Sequence, residues 1–233
     1  MTSTHPLDYP IWNALCTGHA KLALGGGLAR RYPPEIGPLS GIADQSQASY
    51  DALRLLAGPQ GQVVLFFCDE PRIPPGWTAM REGGLCQMVC DAPPAEQHVQ
   101  ASSGHLPRRL GRDDVPEMVA LATLTEPGPF RERTIELGVF SGIFSDGRLM
   151  AMAGQRLCLP HFIEVSAVCT HPDARGRGYA RALVRDVMRD IFARHAQPFL
   201  HVLPENVSAI GLYESLGFRT RKVLQLEVLK NAA

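Results

Sequence analysis

The chain has no excess of charge of either sign. Its 23 Lys and Arg are matched by 23 Asp and Glu, so the net charge is zero. A balanced surface sets up no general field for nucleic acid or for an anionic membrane. Long apolar runs are also absent: none approaches the roughly 20 residues that cross a bilayer. The opening Met-Thr-Ser-Thr-His-Pro-Leu-Asp has neither the basic nor the apolar region of a secretory signal. Cys16, Cys68, Cys86, Cys90, Cys158 and Cys169 include no Cys-x-x-Cys pair. Several lie in apolar, strand-like runs, so they read as reduced core residues of a cytoplasmic protein rather than zinc ligands or disulfides. No metal-ligand constellation, no Gly-x-Ser-x-Gly nucleophile elbow and no tandem repeat is present.

What is there is a chain of 233 residues with 45% apolar content, enough for one large core or two small ones. Residues 91–109 contain Pro93-Pro94, Ser102-Ser103-Gly104 and Pro107 and few large apolar side chains, which marks a linker. It separates an accessory region, 1–104, from a second domain, 105–233. In the first region, 9–15 and 46–57 read as helices, and 62–68 and 85–90 as strands. Residues 21–28 read as a strand interrupted by Gly25-Gly26-Gly27. No helix follows those glycines, so they make a turn or bulge, not a phosphate loop.

The second region is more regular. An aspartate cap at Asp113-Asp114 with Pro116 in the first turn predicts a helix to about Leu124. A second helix is expected from about Arg131. Residues 140–144 and 148–159 form a hairpin across Ser145-Asp146-Gly147. The apolar, β-branched run 162–170 is a buried strand, ended by His171-Pro172-Asp173. From Ala180 the apolar residues Leu183, Val184, Val187, Met188, Ile191 and Phe192 fall on one helical stripe. Further on, 198–203 is a strand, 206–216 a helix closed by Gly217, and 218–229 the last strand.

Between the 162–170 strand and its helix stands Arg175-Gly176-Arg177-Gly178-Tyr179-Ala180. The first N–H groups of a helix lack intrahelical partners and sit at the positive end of its dipole. Glycines let an anion approach the backbone, and Arg175, Arg177 and Arg181 add positive charge. The turn is not a P-loop, because no Gly-Lys-Ser/Thr follows. The dinucleotide fingerprint fails too, since Arg181 replaces its third glycine.

This turn matches Arg/Gln-x-x-Gly-x-Gly/Ala and resembles the acyl-CoA pyrophosphate loop of the GNAT superfamily of N-acetyltransferases. Asn206 and Leu212-Tyr213-Glu214-Ser215-Leu216-Gly217-Phe218 resemble that superfamily's second signature. Residues 144–229 are most similar to the glycine N-acyltransferase-like C-terminal domain, with weaker likeness back to Leu110. The resemblance implies an α/β GNAT fold: a mixed central sheet flanked by helices, with a splay between two parallel central strands. The element order of the first region suggests a degenerate GNAT-like half.

It further implies acetyl-CoA, or a related acyl-CoA, as cosubstrate and the primary amine of a small molecule or amino acid as acceptor. No metal, nucleic acid or membrane partner is expected; a homodimer is an open alternative. Direct attack in a ternary complex follows from the lack of a cysteine set up as a nucleophile. Backbone groups around Val168, Cys169 and Thr170 would hold the pantetheine arm, and Arg175, Gly176, Arg177, Gly178, Tyr179 and Ala180 the pyrophosphate. Asn206 would contact the cofactor, cap its helix, or both. Tyr213 would protonate the departing thiolate, or else is a core tyrosine. Glu164, 11 residues before Arg175, would be the general base, or else a structural carboxylate. Phe130, Arg133 and His201 are positional candidates for the amine pocket. The competing reading is a non-catalytic acyl-CoA-binding regulatory module.

Overall fold

The computed structural model describes residues 5–93 and 106–232. Most of the expected linker, and the expected boundary at 104/105, lie outside the described residues. From the N-terminus the elements are α1 (Pro10–Cys16), β1 (Leu24–Gly26), β2 (Ala29–Arg31), β3 (Ser40–Ile42), α2 (Gln47–Ala57), β4 (Gln62–Phe67) and β5 (Trp77–Val89). Then follow β6 (Arg108–Arg109), α3 (Val115–Thr125), β7 (Phe140–Ser145), β8 (Arg148–Leu159), β9 (Phe162–Thr170), α4 (Tyr179–Ala193), β10 (Gln197–Val202), α5 (Val207–Glu214) and β11 (Arg219–Asn231).

Eight strands make one sheet in the order β4-β11-β5-β10-β9-β8-β7-β6, and β1 to β3 make a small separate one. β5, from the first region, lies in the interior of the large sheet, antiparallel to β10 on one side and to β11 on the other. The two regions of the chain therefore share a sheet. α4 and α5 cover one face, where Leu183, Val184, Val187, Met188 and Ile191 are fully buried against β8, β9 and β10. Burying each such side chain is worth about 1.5–3 kcal/mol. α1 and α3 cover the opposite face.

β9 and β10 are parallel but pair only at Gln197–Phe162, Pro198–Ile163 and Phe199–Glu164. Beyond these the strands part, which is the expected splay. β9 also bulges: Cys169 pairs with Met152 and Ser166 with Gly154, so Ala167 and Val168 together face Ala153. Ala167 sits at φ 52°, a left-handed conformation uncommon for a residue with a side chain. Past Glu164, the β10-facing edge of β9 has no ladder partner among the described residues.

Two local expectations need correction. Asp114 does not cap α3. Its carboxylate instead accepts from Gly111 N–H at 2.8 Å and from Arg108, closing a 3-10 turn before the helix. No helix begins at Arg131. There is only a 3-10 turn, Thr134–Leu137; here the Arg133 N–H donates to the Glu35 carbonyl and the Thr134 hydroxyl to the Ile36 carbonyl, so the segment is tied to 35–36.

Candidate active site

The splay opens a cavity of about 760 Å³ that passes from the α4–α5 face of the sheet to the α1–α3 face. On the first side it is lined by the turn ahead of α4. Gly176 and Gly178 stand at φ 76° and 77°, and a Cβ built on either meets no atom within 4 Å. The backbone there is bare and faces open space, as a pyrophosphate needs. Arg175, Gly176, Gly178, Tyr179, Ala180 and Arg181 line this end. Arg177 does not: its guanidinium folds back on the Asp173 carbonyl at 3.1 Å. The Tyr179 ring is buried in the core, so only its backbone is available to a ligand.

Val168, Cys169 and Thr170 line the cavity along the free edge of β9. Asn206 lines it from α5, and its Oδ1 accepts from Ala209 N–H at 3.1 Å, so the cap and the site share one residue. Tyr213 lines it one helical turn on from Ala209. Burial, and then the neighbouring Cys169, push its hydroxyl up to about 12. It is therefore fully protonated at neutral pH and available as a donor.

Glu164 has no solvent exposure. Arg156 donates to its two oxygens at 2.8 and 2.6 Å, the Leu157 N–H donates at 3.3 Å, and His201 Nδ1 lies 2.7 Å away. Burial alone would raise the carboxyl pKa. The Arg156 charge and hydrogen bonds, followed by the hydrogen bond from His201, overcome that and hold it at about 2. Such a carboxylate is a poor proton acceptor at neutral pH. The geometry is that of a structural anion, the second of the two roles the sequence left open. His201 is kept neutral by burial. The Gln87 amide donates to the Leu7 carbonyl at 2.8 Å and lies 3.0 Å from His201 Nε2, while Arg221 donates to its oxygen. Gln87 thus offers His201 a donor, which leaves Nδ1–H to face Glu164. His201 and Arg156 both line the cavity.

Phe130 and Arg133 lie elsewhere. Phe130 packs edge-on against Phe140, with ring centres 5.8 Å apart, beside a recess of only about 10 Å³. Arg133 is tied to Glu136 at 2.7 and 2.8 Å on the surface. Sequence reasoning missed Arg156. It reaches Glu164 through an irregularity of β8: Cys158 pairs with Ile163 and Gln155 with Val165, so Arg156 and Leu157 together face Glu164, and counting residues back from the turn does not reveal the pair. It also missed the cavity wall supplied by Leu39, Val64, Phe66 and Leu85 of the first region, for which no local pattern exists. Among the described residues no cluster suits a metal ion, all six cysteines are free, and no helix is long and apolar enough to cross a membrane.

The FR47-like protein family model matches residues 140–226. Acetyltransferase YE1169 of Yersinia enterocolitica is 38% identical over 58 residues, covering 24% of this chain and 40% of that protein. N-alpha-acetyltransferase RimI of Mycobacterium tuberculosis is 36% identical over 83 residues, covering 34% of this chain and 51% of that one. The chain thus spans about half or less of the length of these curated relatives. A crystal structure of a GNAT-family protein from Novosphingobium aromaticivorans is 40% identical and covers 99% of this chain and 100% of its own, with a TM-score of 0.89. The shared fold, the splayed parallel pair, the glycine cradle and this end-to-end similarity lead to one conclusion: the chain belongs to the GNAT family.

Proposed function

We propose that this protein is a cytoplasmic N-acyltransferase. It moves an acetyl or short acyl group from acyl-CoA to a primary amine of a small molecule or amino acid, by direct attack in a ternary complex. One observation carries this reading: a single cavity joins the bare glycine cradle, the unpaired edge of β9 and a protonated Tyr213. The α4 turn would bind the pyrophosphate. The β9 edge would align the pantetheine arm and present donors where charge develops on the carbonyl oxygen. Tyr213 would donate to the sulfur as the C–S bond breaks. Arg156, Glu164 and His201 would stiffen the β8–β9–β10 junction that shapes the acceptor side. Within the family we place the chain near the glycine N-acyltransferase-like branch, on the strength of the 175–180 turn and the 212–218 run.

The test is thiol release from acetyl-CoA with a panel of primary amines, with products identified by mass shift. Acetylated amine with stoichiometric thiol is expected. Tight CoA binding without thiol release from any amine would instead mark a regulatory acyl-CoA-binding module.

A further inference from the structure

An acceptor amine is an ammonium ion in neutral water and cannot attack until it loses a proton. Glu164 is withdrawn into its ion pair. Of the described residues that line the cavity, Glu126 alone carries a carboxylate, and the cations Arg81, Arg156, Arg175 and Arg181 supply the rest of the charge. Glu126 ends α3 on the acceptor side of the sheet. Its side chain has no hydrogen bond or ion pair with another described residue. Its backbone is left-handed, at φ 47° and ψ 54°, which is costly for a residue with a Cβ. That conformation is held by its N–H, which donates to the Ala122 carbonyl at 2.8 Å, and Pro127-Gly128-Pro129 follows at once.

Glu126 itself is exposed at the rim of the cavity. The hydroxyl of Thr125, the preceding residue, lies against the Cys169 thiol, and Cys169 is a neighbour of Tyr213. Leu39, Val64, Phe66, Leu85 and Leu226 give this end of the cavity an apolar wall, beside the polar groups of Arg81, Arg156 and His201.

We propose that the Glu126 carboxylate binds the ammonium of an acceptor with an apolar body and takes its first proton. The proposal rests on the acyltransfer reading above. The first proton passes to Glu126 and then to water at the cavity mouth. The free amine forms the C–N bond. The C–S bond breaks with its electron pair on sulfur, the thiolate takes the Tyr213 proton, and the second amine proton restores the Tyr213 hydroxyl.

Phenethylamine, an ammonium ion at neutral pH, and 4-methoxyaniline, already a neutral amine there, are the probes. With the unaltered chain and acetyl-CoA, both should be acetylated. Glu126→Gln should lose roughly 10²-fold in kcat/KM with phenethylamine, and only a few-fold with 4-methoxyaniline. Glu126→Asp should recover part of the loss, and CoA affinity by calorimetry should hold. Equal activity of Glu126→Gln and the unaltered chain on phenethylamine overturns the assignment and leaves acyltransfer standing. So does an equal loss on both probes, which marks a structural role. If the unaltered chain acetylates neither probe nor any amine of the panel, acyltransfer itself fails and takes the assignment with it.

Discussion

The α4 end of the cavity is made by neighbours in sequence. Residues 168–181 supply a strand edge, two glycines at positive φ, two cavity-lining arginines and the start of a helix. The other end is made by strangers: Leu39, β4, β5, the end of α3, Arg156 of β8 and β11 meet there. A phosphate cradle needs only bare backbone and one helix terminus, so it can be written in a single turn. A pocket for one particular amine needs walls on several sides, and the fold brings those in from distant segments. On the proposed reading, the cradle end would serve the acyl-CoA and the other end would select the amine.

The largest effect expected is from removing the distant contributors. A fragment beginning at residue 106 lacks β4 and β5, and β5 sits between β10 and β11. Its loss strips both neighbours of their ladders and exposes the face that the first region covers. The fragment should be insoluble or unfolded by circular dichroism, and the full chain should bind one CoA at saturation. A soluble, fully active fragment, or two CoA per chain, would break the division of the cavity into two ends.

Next is Glu164→Gln. It leaves the largely buried Arg156 without its anion; breaking a fully buried pair costs on the order of 3–5 kcal/mol, and the cavity beside Arg156 puts this one at the lower end. The pH dependence has a definite sign. The carboxyl pKa falls from 4.5 to about 2 on folding. Its stabilisation, about 3 kcal/mol, is therefore complete above pH 4.5 and is lost as pH falls through 2. The pKa of His201 is also lowered by burial, so its contribution is complete above 6.5 and declines in acid as well. Urea midpoints measured from pH 7 downward should fall steeply for the unaltered chain and less steeply for Glu164→Gln. If the variant keeps full stability and loses only turnover, Glu164 is a base after all.

Tyr213→Phe keeps the ring and its packing against Phe218 and removes the hydroxyl alone. Turnover should fall by roughly 10²-fold, with CoA affinity unchanged. Normal turnover would return Tyr213 to the core, and the site would then have no donor for the sulfur among its expected residues.

Legibility followed the same division. β7 to β11, α4 and α5 were readable because each carries its own period or punctuation. β9 keeps the 162–170 bounds and α4 shifts by one residue, with Tyr179 as its first. β5 was read only over its buried part. Thr78, Met80 and Glu82 on one face and Ala79, Arg81 and Gly83 on the other are all exposed, so this arm shows no alternation. Glu164 was found by its offset from the cradle, but its role depended on Arg156, Gln87 and His201, three other strands' residues. Glu126 lies in the same 125–134 stretch that supplied Phe130 and Arg133 as positional candidates for the amine pocket, but no pattern in its run of Thr, Glu, Pro and Gly singled it out. Only the placement of α3 over the splay gives it meaning.

Gly178→Val has the smallest expected effect and tests the cradle end. Nothing lies within 4 Å of a Cβ there, so the first added carbon meets open space. The substitution does force a β-branched residue to φ 77° at the N-cap of α4, at a cost of about 1–2 kcal/mol for the left-handed conformation. The fold should survive, since the buried stripe of α4 is untouched. The added methyls would stand in the space assigned to the pyrophosphate and hold it off the helix N–H groups. A loss of about 1.4 kcal/mol there is tenfold in affinity, to be read by calorimetry with CoA. Dephospho-CoA and CoA should lose equally, since the pyrophosphate is common to both, whereas free pantetheine should bind both proteins alike. A folded Gly178→Val chain that binds CoA as tightly as the unaltered one would remove the cradle from the site, and with it the contrast between the two ends.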